Sequence, residues 1–199
     1  MSLRTFVGEA LINFQTVAAI SPSSSYLASA MLEPKTLART RVALELGAGT
    51  GAITHALLAQ LPPDATLLVF EINPRFFECL QRSISDPRVI LINSSAENLD
   101  SELRRRGIQQ VDAVISSLGL AFMPEHDRQS LFQRLSPFLH AKSVFTQYQY
   151  IHGMQFVEGR LCRLNLRPLL NRYFGSVQSR IVWRNLPPAF VFTCHARPQ

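Results

Sequence analysis

The sequence predicts an α/β fold: a doubly wound, mostly parallel sheet of seven strands, with an antiparallel hairpin at its C-terminal end and helices ahead of it. Three observations predict it. Apolar strand-like runs alternate with helical segments from residue 41 onward. A glycine-rich turn joins the first of these strands to its helix, the place where such sheets meet ligands. The last two β-rich runs flank Pro187 and Pro188, so they fold back on each other as an antiparallel edge. At 199 residues the chain reads as one domain, with residues 1–40 a helical cover and 41–199 the α/β core.

Each element has its own signature. Leu3, Phe6, Val7, Ala10, Leu11 and Phe14 recur at spacings of three and four, which predicts a helical stripe over 3–16. "ISPSSSYLASAML" breaks at Ser-Pro and restarts as a second helix with a serine available to cap it. "RVALEL" is a strand, 51–61 a helix, "TLLVFEI" a strand, and Pro74–Ser83 a helix that opens on proline. "RVILIN" and "VDAVISSL" follow as strands, then a helix over 125–139 and the strand "KSVFTQYQY". "SVQSRIVWRN" and "AFVFTCHA" complete the hairpin.

Composition narrows the setting. No run approaches the roughly 18–20 consecutive apolar residues of a membrane span. The first residues carry no basic segment followed by a long apolar stretch, so a secretory signal is not expected. Cys79, Cys162 and Cys194 stand at unrelated spacings, which fits free thiols in a cytoplasmic chain. The histidines pair with no cysteine or carboxylate at ligand spacing, so no metal is expected. Charge is distributed unevenly. Residues 41–100 carry four Arg against seven Asp and Glu, whereas 156–199 carry seven Arg against one Glu. A cationic C-terminal quarter suits an anionic partner, either nucleic acid or a phospholipid surface.

The sharpest motif is "LELGAGTGAIT". Gly47, Gly49 and Gly51 tolerate unusual dihedrals and remove the Cβ that would hold a ligand away. Glu71 follows 20 residues beyond Gly51, where a carboxylate can accept both hydroxyls of a ribose. The glycines alone would also suit a dinucleotide. Glu45, two residues ahead of them, would oppose a pyrophosphate but suits a ligand bearing an ammonium and a sulfonium. "SSAENL" after the third strand offers Glu97 and Asn98 to the exocyclic amine of an adenine.

With these motifs in this order, residues 41–120 resemble the class I S-adenosylmethionine-dependent methyltransferases. The resemblance implies the Rossmann-like fold of that class and S-adenosyl-L-methionine as cofactor. The implied binding residues are Glu45, Gly47, Ala48, Gly49 and Gly51 in the loop, then Glu71 and Ile72, then Ala96, Glu97 and Asn98, and finally Ser116. Ser24 either holds the cofactor's carboxylate or caps the helix.

The acceptor is addressed by the segment after the fourth strand. Adenine-methylating relatives carry an Asn/Asp-Pro-Pro-Tyr sequence there, whereas this chain has "SSLGLAFMP", apolar and without the amide or carboxylate. "TVAAISPSSSYLASAML" and "VWRNLPPAFVF" extend the resemblance over nearly the whole chain, to the soluble bacterial phospholipid N-methyltransferases. Gly119, Ala121, Ser25 and "QYQYIHG" depart from that family's usual pattern. The resemblance implies methylation of a lipid amine, that of phosphatidylethanolamine first, by a protein peripheral on the inner face of the cell membrane. Tyr148 and Tyr150 are the candidates for binding or deprotonating the amine, followed by Tyr26 and His152. The stripe over 3–16 either lies in the lipid interface or packs over the cleft. Arg160, Arg163 and Arg167, at helical spacing, are expected to share a face toward lipid phosphates. Two other readings stand beside this one: an RNA methyltransferase related to the adenine dimethylases, and a non-catalytic S-adenosylmethionine-binding protein.

Overall fold

The computed structural model describes residues 25–151, 154–157, 160–163 and 165–197. The first four strands are short apolar runs: β1 (Val42–Leu46), β2 (Thr66–Phe70), β3 (Val89–Ile92) and β4 (Val111–Ser116). Such runs lack polar alternation because both of their faces are covered. β5 (Leu139–Tyr150) pairs with β4 in parallel. β6 (Met154–Val157) and β7 (Arg160–Arg163) form a separate antiparallel pair. β8 (Ser176–Val182) and β9 (Ala189–His195) then return to the main sheet. The order of that seven-stranded sheet is β3-β2-β1-β4-β5-β9-β8, with only β9 and its two neighbours paired antiparallel. The order reverses between β1 and β4, which opens the crevice where doubly wound sheets hold their ligands.

Helices cover both faces. On one lie α1 (Ser25–Met31), α2 (Pro34–Leu37), α3 (Ala52–Leu58) and α4 (Pro74–Ser83). They bury Leu27, Met31, Leu37, Ile53, Leu57 and Leu80 against Ala43, Val69, Ile115 and Val191. On the other lie α5 (Leu99–Arg105), α6 (Glu125–Leu135) and α7 (Arg167–Tyr173) over Leu44, Leu68, Val114 and Phe145. Phe132 of α6 meets Phe145 edge-on at 5.3 Å, and Phe174 stacks on Phe145 at 5.3 Å. Edge-to-face and offset stacking are the favoured aromatic geometries, so this cluster fastens α6 and the end of α7 to β5.

The structure departs from the sequence expectations in four places. The helix expected over 125–139 ends at Leu135, because Pro137 sits in the following 3₁₀ turn, Ser136–Phe138. Leu139 therefore already begins β5, which shifts register opposite Val111 and Ala113 before the "KSVFTQYQY" stretch. The polar helix α5 and the short elements β6, β7 and α7 carry too few periodic apolar positions to be expected. The proposed helical face of Arg160, Arg163 and Arg167 does not form, since the first two bound β7 and the third begins α7. The stripe over 3–16, Ser24, His152 and the side chains of Arg160 and Arg163 lie outside the described residues.

Candidate functional site

The C-terminal ends of β1, β2, β3, β4 and β5 share one edge of the sheet, since all five run parallel. Every described site residue expected from the sequence lies in or next to that edge.

At the end of β1, Gly47, Gly49 and Gly51 have φ of 77°, 57° and 87°. These left-handed values are costly for any residue with a Cβ. The three glycines differ in surroundings. A Cβ on Gly51 would stand 2.9 Å from Leu80 Cδ2, and one on Gly47 3.2 Å from Leu118 Cδ2. A Cβ on Gly49 would meet nothing within 4 Å. Gly51 and Gly47 are small for packing; Gly49 leaves open space. The loop is anchored by Gly47 and Ala48 N–H, which donate to Phe70 O at 2.9 and 3.3 Å.

Glu71, just past β2, is buried, and its two carboxylate oxygens are each held by a backbone donor. Gly49 N–H donates to Oε2 at 2.7 Å and Asn73 N–H to Oε1 at 2.8 Å. Burial pushes its pKa up, against the backbone N–H groups of Asn73, Gly49 and Ile72. Each oxygen keeps lone pairs for further donors, which is the capacity that a pair of ribose hydroxyls requires. Ile72 beside it is half exposed, an apolar side chain at the rim.

Glu45 is fully buried, and neither carboxylate oxygen has a hydrogen-bond partner. Burial pushes its pKa up to about 7; the neighbouring Thr54 hydroxyl opposes this, and the charge of Glu71 adds to it. Thr54 Oγ1 stands by without reaching hydrogen-bond geometry and is itself unpartnered. A buried carboxyl without a donor is expensive unless a ligand supplies the cation or the N–H groups. Unsatisfied Glu45, the space at Gly49 and the oriented Glu71 carboxylate together fit a cofactor that carries both a cation and neighbouring hydroxyls, as S-adenosylmethionine does.

Beyond β3, Ser95 Oγ accepts from Glu97 N–H at 3.2 Å and starts the 3₁₀ turn Ala96–Asn98. Ala96 is half-buried, while Glu97 and Asn98 are exposed. Asn98 Nδ2 donates to Ser94 Oγ at 3.0 Å.

Ser116 is buried at the end of β4, and Leu118 N–H donates to its Oγ at 3.4 Å. The following segment, 117–122, is steadied from α6 by buried Arg128, whose Nη1 donates to Leu120 O at 3.1 Å. Phe122 is 47% exposed at its end. Tyr148 and Tyr150 sit on one face of β5, rings 5.4 Å apart and 72° inclined. Burial raises the Tyr150 pKa, and a hydrogen bond from Tyr148 opposes this. Tyr150 is thus a neutral phenol at ordinary pH, a hydrogen-bonding group more than a base. Tyr26 is 52% exposed on α1, its ring under the Arg184 guanidinium at 5.2 Å.

Three side chains join the site without having been expected. Gln147 is fully buried; its Nε2 donates to Leu118 O at 3.0 Å and Tyr148 O at 2.6 Å, and its Oε1 has no partner. Ser117 Oγ and Thr54 Oγ1 are likewise buried and unpartnered. A lone Gln, Ser or Thr in an apolar run has no spacing to single it out, so no sequence signal marks them. Among the described residues no group of three or more His, Cys, Asp or Glu is assembled as metal ligands. No described helix is long and apolar enough to cross a membrane.

A family model described as a methyltransferase domain matches residues 43–142. Ornithine lipid N-methyltransferase of Singulisphaera acidiphila is 30% identical over 190 residues, 95% of this chain and 93% of that protein. Ribosomal RNA small subunit methyltransferase H of Aromatoleum aromaticum is 34% identical over 73 residues, only 37% of this chain and 23% of that protein. Among solved structures, human methyltransferase-like protein 13 in complex with SAH superposes with a TM-score of 0.64 at 19% identity, over 88% of this chain and 84% of that one.

Proposed function

The chain belongs to the class I S-adenosylmethionine-dependent methyltransferases, and from that membership we propose that it methylates the amine of an aminolipid headgroup. The observation that carries the reading is the reach of the two sequence likenesses. The ornithine lipid enzyme matches along 95% of the chain, acceptor side included, whereas the ribosomal RNA enzyme matches along 37%. The segment 117–122 supports it, because its apolar side chains offer no amide or carboxylate to a nucleobase. Ornithine lipid and phosphatidylethanolamine both present a primary amine, and both are acceptors to compare.

When bound, the cofactor would supply an electrophilic methyl group on a sulfonium, with the thioether as leaving group when an unprotonated amine attacks the methyl carbon in line. This chain's part is then positioning. Glu45 would hold the cationic end of the cofactor, Glu71 its ribose, and Ile72 with Ala96, Glu97 and Asn98 the adenine side. Gly47, Ala48, Gly49, Gly51 and Ser116 would shape the bed beneath. Tyr148 and Tyr150 would orient the amine through their hydroxyls, with Tyr26 at the entrance. The apolar rim would limit water near the reacting amine.

The test is a labelled-methyl assay that offers ornithine lipid, phosphatidylethanolamine and ribosomal RNA in parallel. Label is expected in the lipid fraction. Incorporation into RNA alone would overturn the reading in favour of the nucleic-acid acceptor that the arginine-rich C-terminal quarter also suits.

A further inference from the structure

The turn between β8 and β9, residues 183–188, carries the two most exposed large apolar side chains among the described residues. Trp183 is 70% exposed and Leu186 80% exposed. A solvated Trp beside a solvated Leu is costly in water, and tryptophan is the side chain whose apolar ring and N–H suit a bilayer interface. The turn is also held firmly. Asn185 is 3% exposed within it and its Nδ2 donates to Pro187 O at 2.7 Å. Ile151 N–H, one residue past β5, donates to Pro188 O at 3.0 Å. Trp183 and Leu186 therefore project from a braced turn and not from a loose loop.

Its place in the sheet gives the projection a direction. Tyr150 of β5 and Val182 of β8 both pair with Ala189, so the turn emerges at the same edge as the glycine loop. Three strand spacings separate β9 from β1, about 14 Å, and β5 with its tyrosine pair lies between them. The surroundings are cationic. Arg184 lies in the turn itself, over the Tyr26 ring. No Asp or Glu occurs anywhere from Gly159 to Gln199. Apolar tips with arginine and without carboxylates complement an anionic headgroup layer.

We infer that the β8–β9 turn docks the enzyme on an anionic bilayer, with Trp183 and Leu186 entering the headgroup region so that a membrane-resident amine faces β5 and the glycine loop. This rests on the aminolipid reading for its purpose, but its test does not. Trp183 is the single tryptophan of the sequence, so selectively excited tryptophan fluorescence reports this turn alone.

The experiment titrates the full chain with vesicles of phosphatidylglycerol and phosphatidylcholine, some with brominated acyl chains. The expected result is a blue shift of Trp183 emission with quenching by the brominated lipid, weaker as salt rises. Leu186→Ser keeps the fluorophore and should weaken vesicle binding about tenfold or more. The same variant should methylate a water-dispersed short-chain aminolipid at the wild-type rate and a vesicle-borne one more slowly. Vesicle binding without shift or quenching would overturn the inference. So would a shift that follows protein concentration without vesicles, which would mean a second copy covers the turn, or one elicited only by RNA. Absence of methylation in both lipid presentations would instead sink the aminolipid reading and leave the docking result standing.

Discussion

Glu45 is the residue on which pH acts. Its carboxyl titrates near 7 against an ordinary 4.5, so between those values the folded chain keeps a proton that the unfolded chain has lost. The penalty of burying this group is absent below 4.5, grows as pH rises through that window and is complete above about 7, on the order of 3 kcal/mol. Glu45→Gln removes the titration. Thermal melts of the ligand-free variant are expected to lose less stability between about pH 5 and 7 than the wild type; parallel profiles would refute the assignment. A cationic ligand favours the ionised carboxyl, so cofactor binding below pH 7 should expel a proton, which calorimetry in buffers of different ionisation enthalpy detects. Tyr148 makes a separate case. Tyr148→Phe keeps the packed ring and removes only the hydroxyl that bonds to Tyr150. Turnover should fall roughly 10–100-fold with cofactor affinity nearly unchanged, if that hydroxyl orients or helps deprotonate the amine. A full-rate variant would remove Tyr148 from the mechanism.

At the scale of the element, the glycine loop and Glu71 act as one unit through the Gly49 N–H bond to Glu71 Oε2. Glu71→Ala removes both the proposed ribose acceptor and the brace on the loop. Cofactor affinity should weaken by about 1.5–3 kcal/mol, as for losing charge-assisted hydrogen bonds; unchanged calorimetric affinity in a folded variant would sink the assignment. Substitutions in the glycines separate folding from binding. Gly51→Ala would place a Cβ 2.9 Å from Leu80 Cδ2 at a φ of 87°, so it should chiefly lower the melting temperature. Gly49→Ala carries the backbone strain, about 1–2 kcal/mol, but meets no protein atom. It should therefore cost more in cofactor affinity than in stability, because its methyl group would enter the space proposed for the cofactor. The placement of this element was the most legible in the sequence, since glycines at alternate positions before a helix supply left-handed backbone and an acid after the next parallel strand falls at the same sheet edge. Gln147 and Arg128 were not legible. Their contributions depend on which carbonyl lies within reach, Leu118 O for the one and Leu120 O for the other, and no spacing encodes that.

The scale of the whole molecule follows the same division. Alternation of apolar strands and amphipathic helices makes the parallel core readable, and Pro187-Pro188 makes the last hairpin readable. The β6–β7 pair and α7 are not readable in the same way, because elements of four to seven residues carry too short a pattern to set against their surroundings. The arginine excess also reads differently once folded. Arg167 donates to Val177 O at 2.9 Å and to Ser179 Oγ at 2.8 Å, and Arg197 caps the carbonyls of Asn171 and Arg172 at 3.0 and 2.9 Å. Part of the positive charge therefore fastens α7 to the sheet edge, which also blunts an exposed strand. Vesicle affinity should accordingly depend less on Arg167 than its charge suggests: Arg167→Gln is expected to lower the melting temperature more than it lowers co-sedimentation with anionic vesicles. The opposite ranking would return Arg167 to the lipid surface.

β9 is the last strand in the chain but not in the sheet. It enters between β5 and β8, and seven consecutive residues of β5, Val144 to Tyr150, wait for it. During synthesis those residues have a partner on one side only until residues 189–195 have left the ribosome. The nascent molecule thus carries an unprotected seven-residue strand edge from the emergence of β5 until β9 follows it, the feature most prone to pair with another chain. A chain stopped before Ala189 should accordingly be recovered as aggregate even though the glycine loop, Glu71 and the tyrosine pair are all encoded, and the yield of soluble protein against the position of the stop codon would show the step.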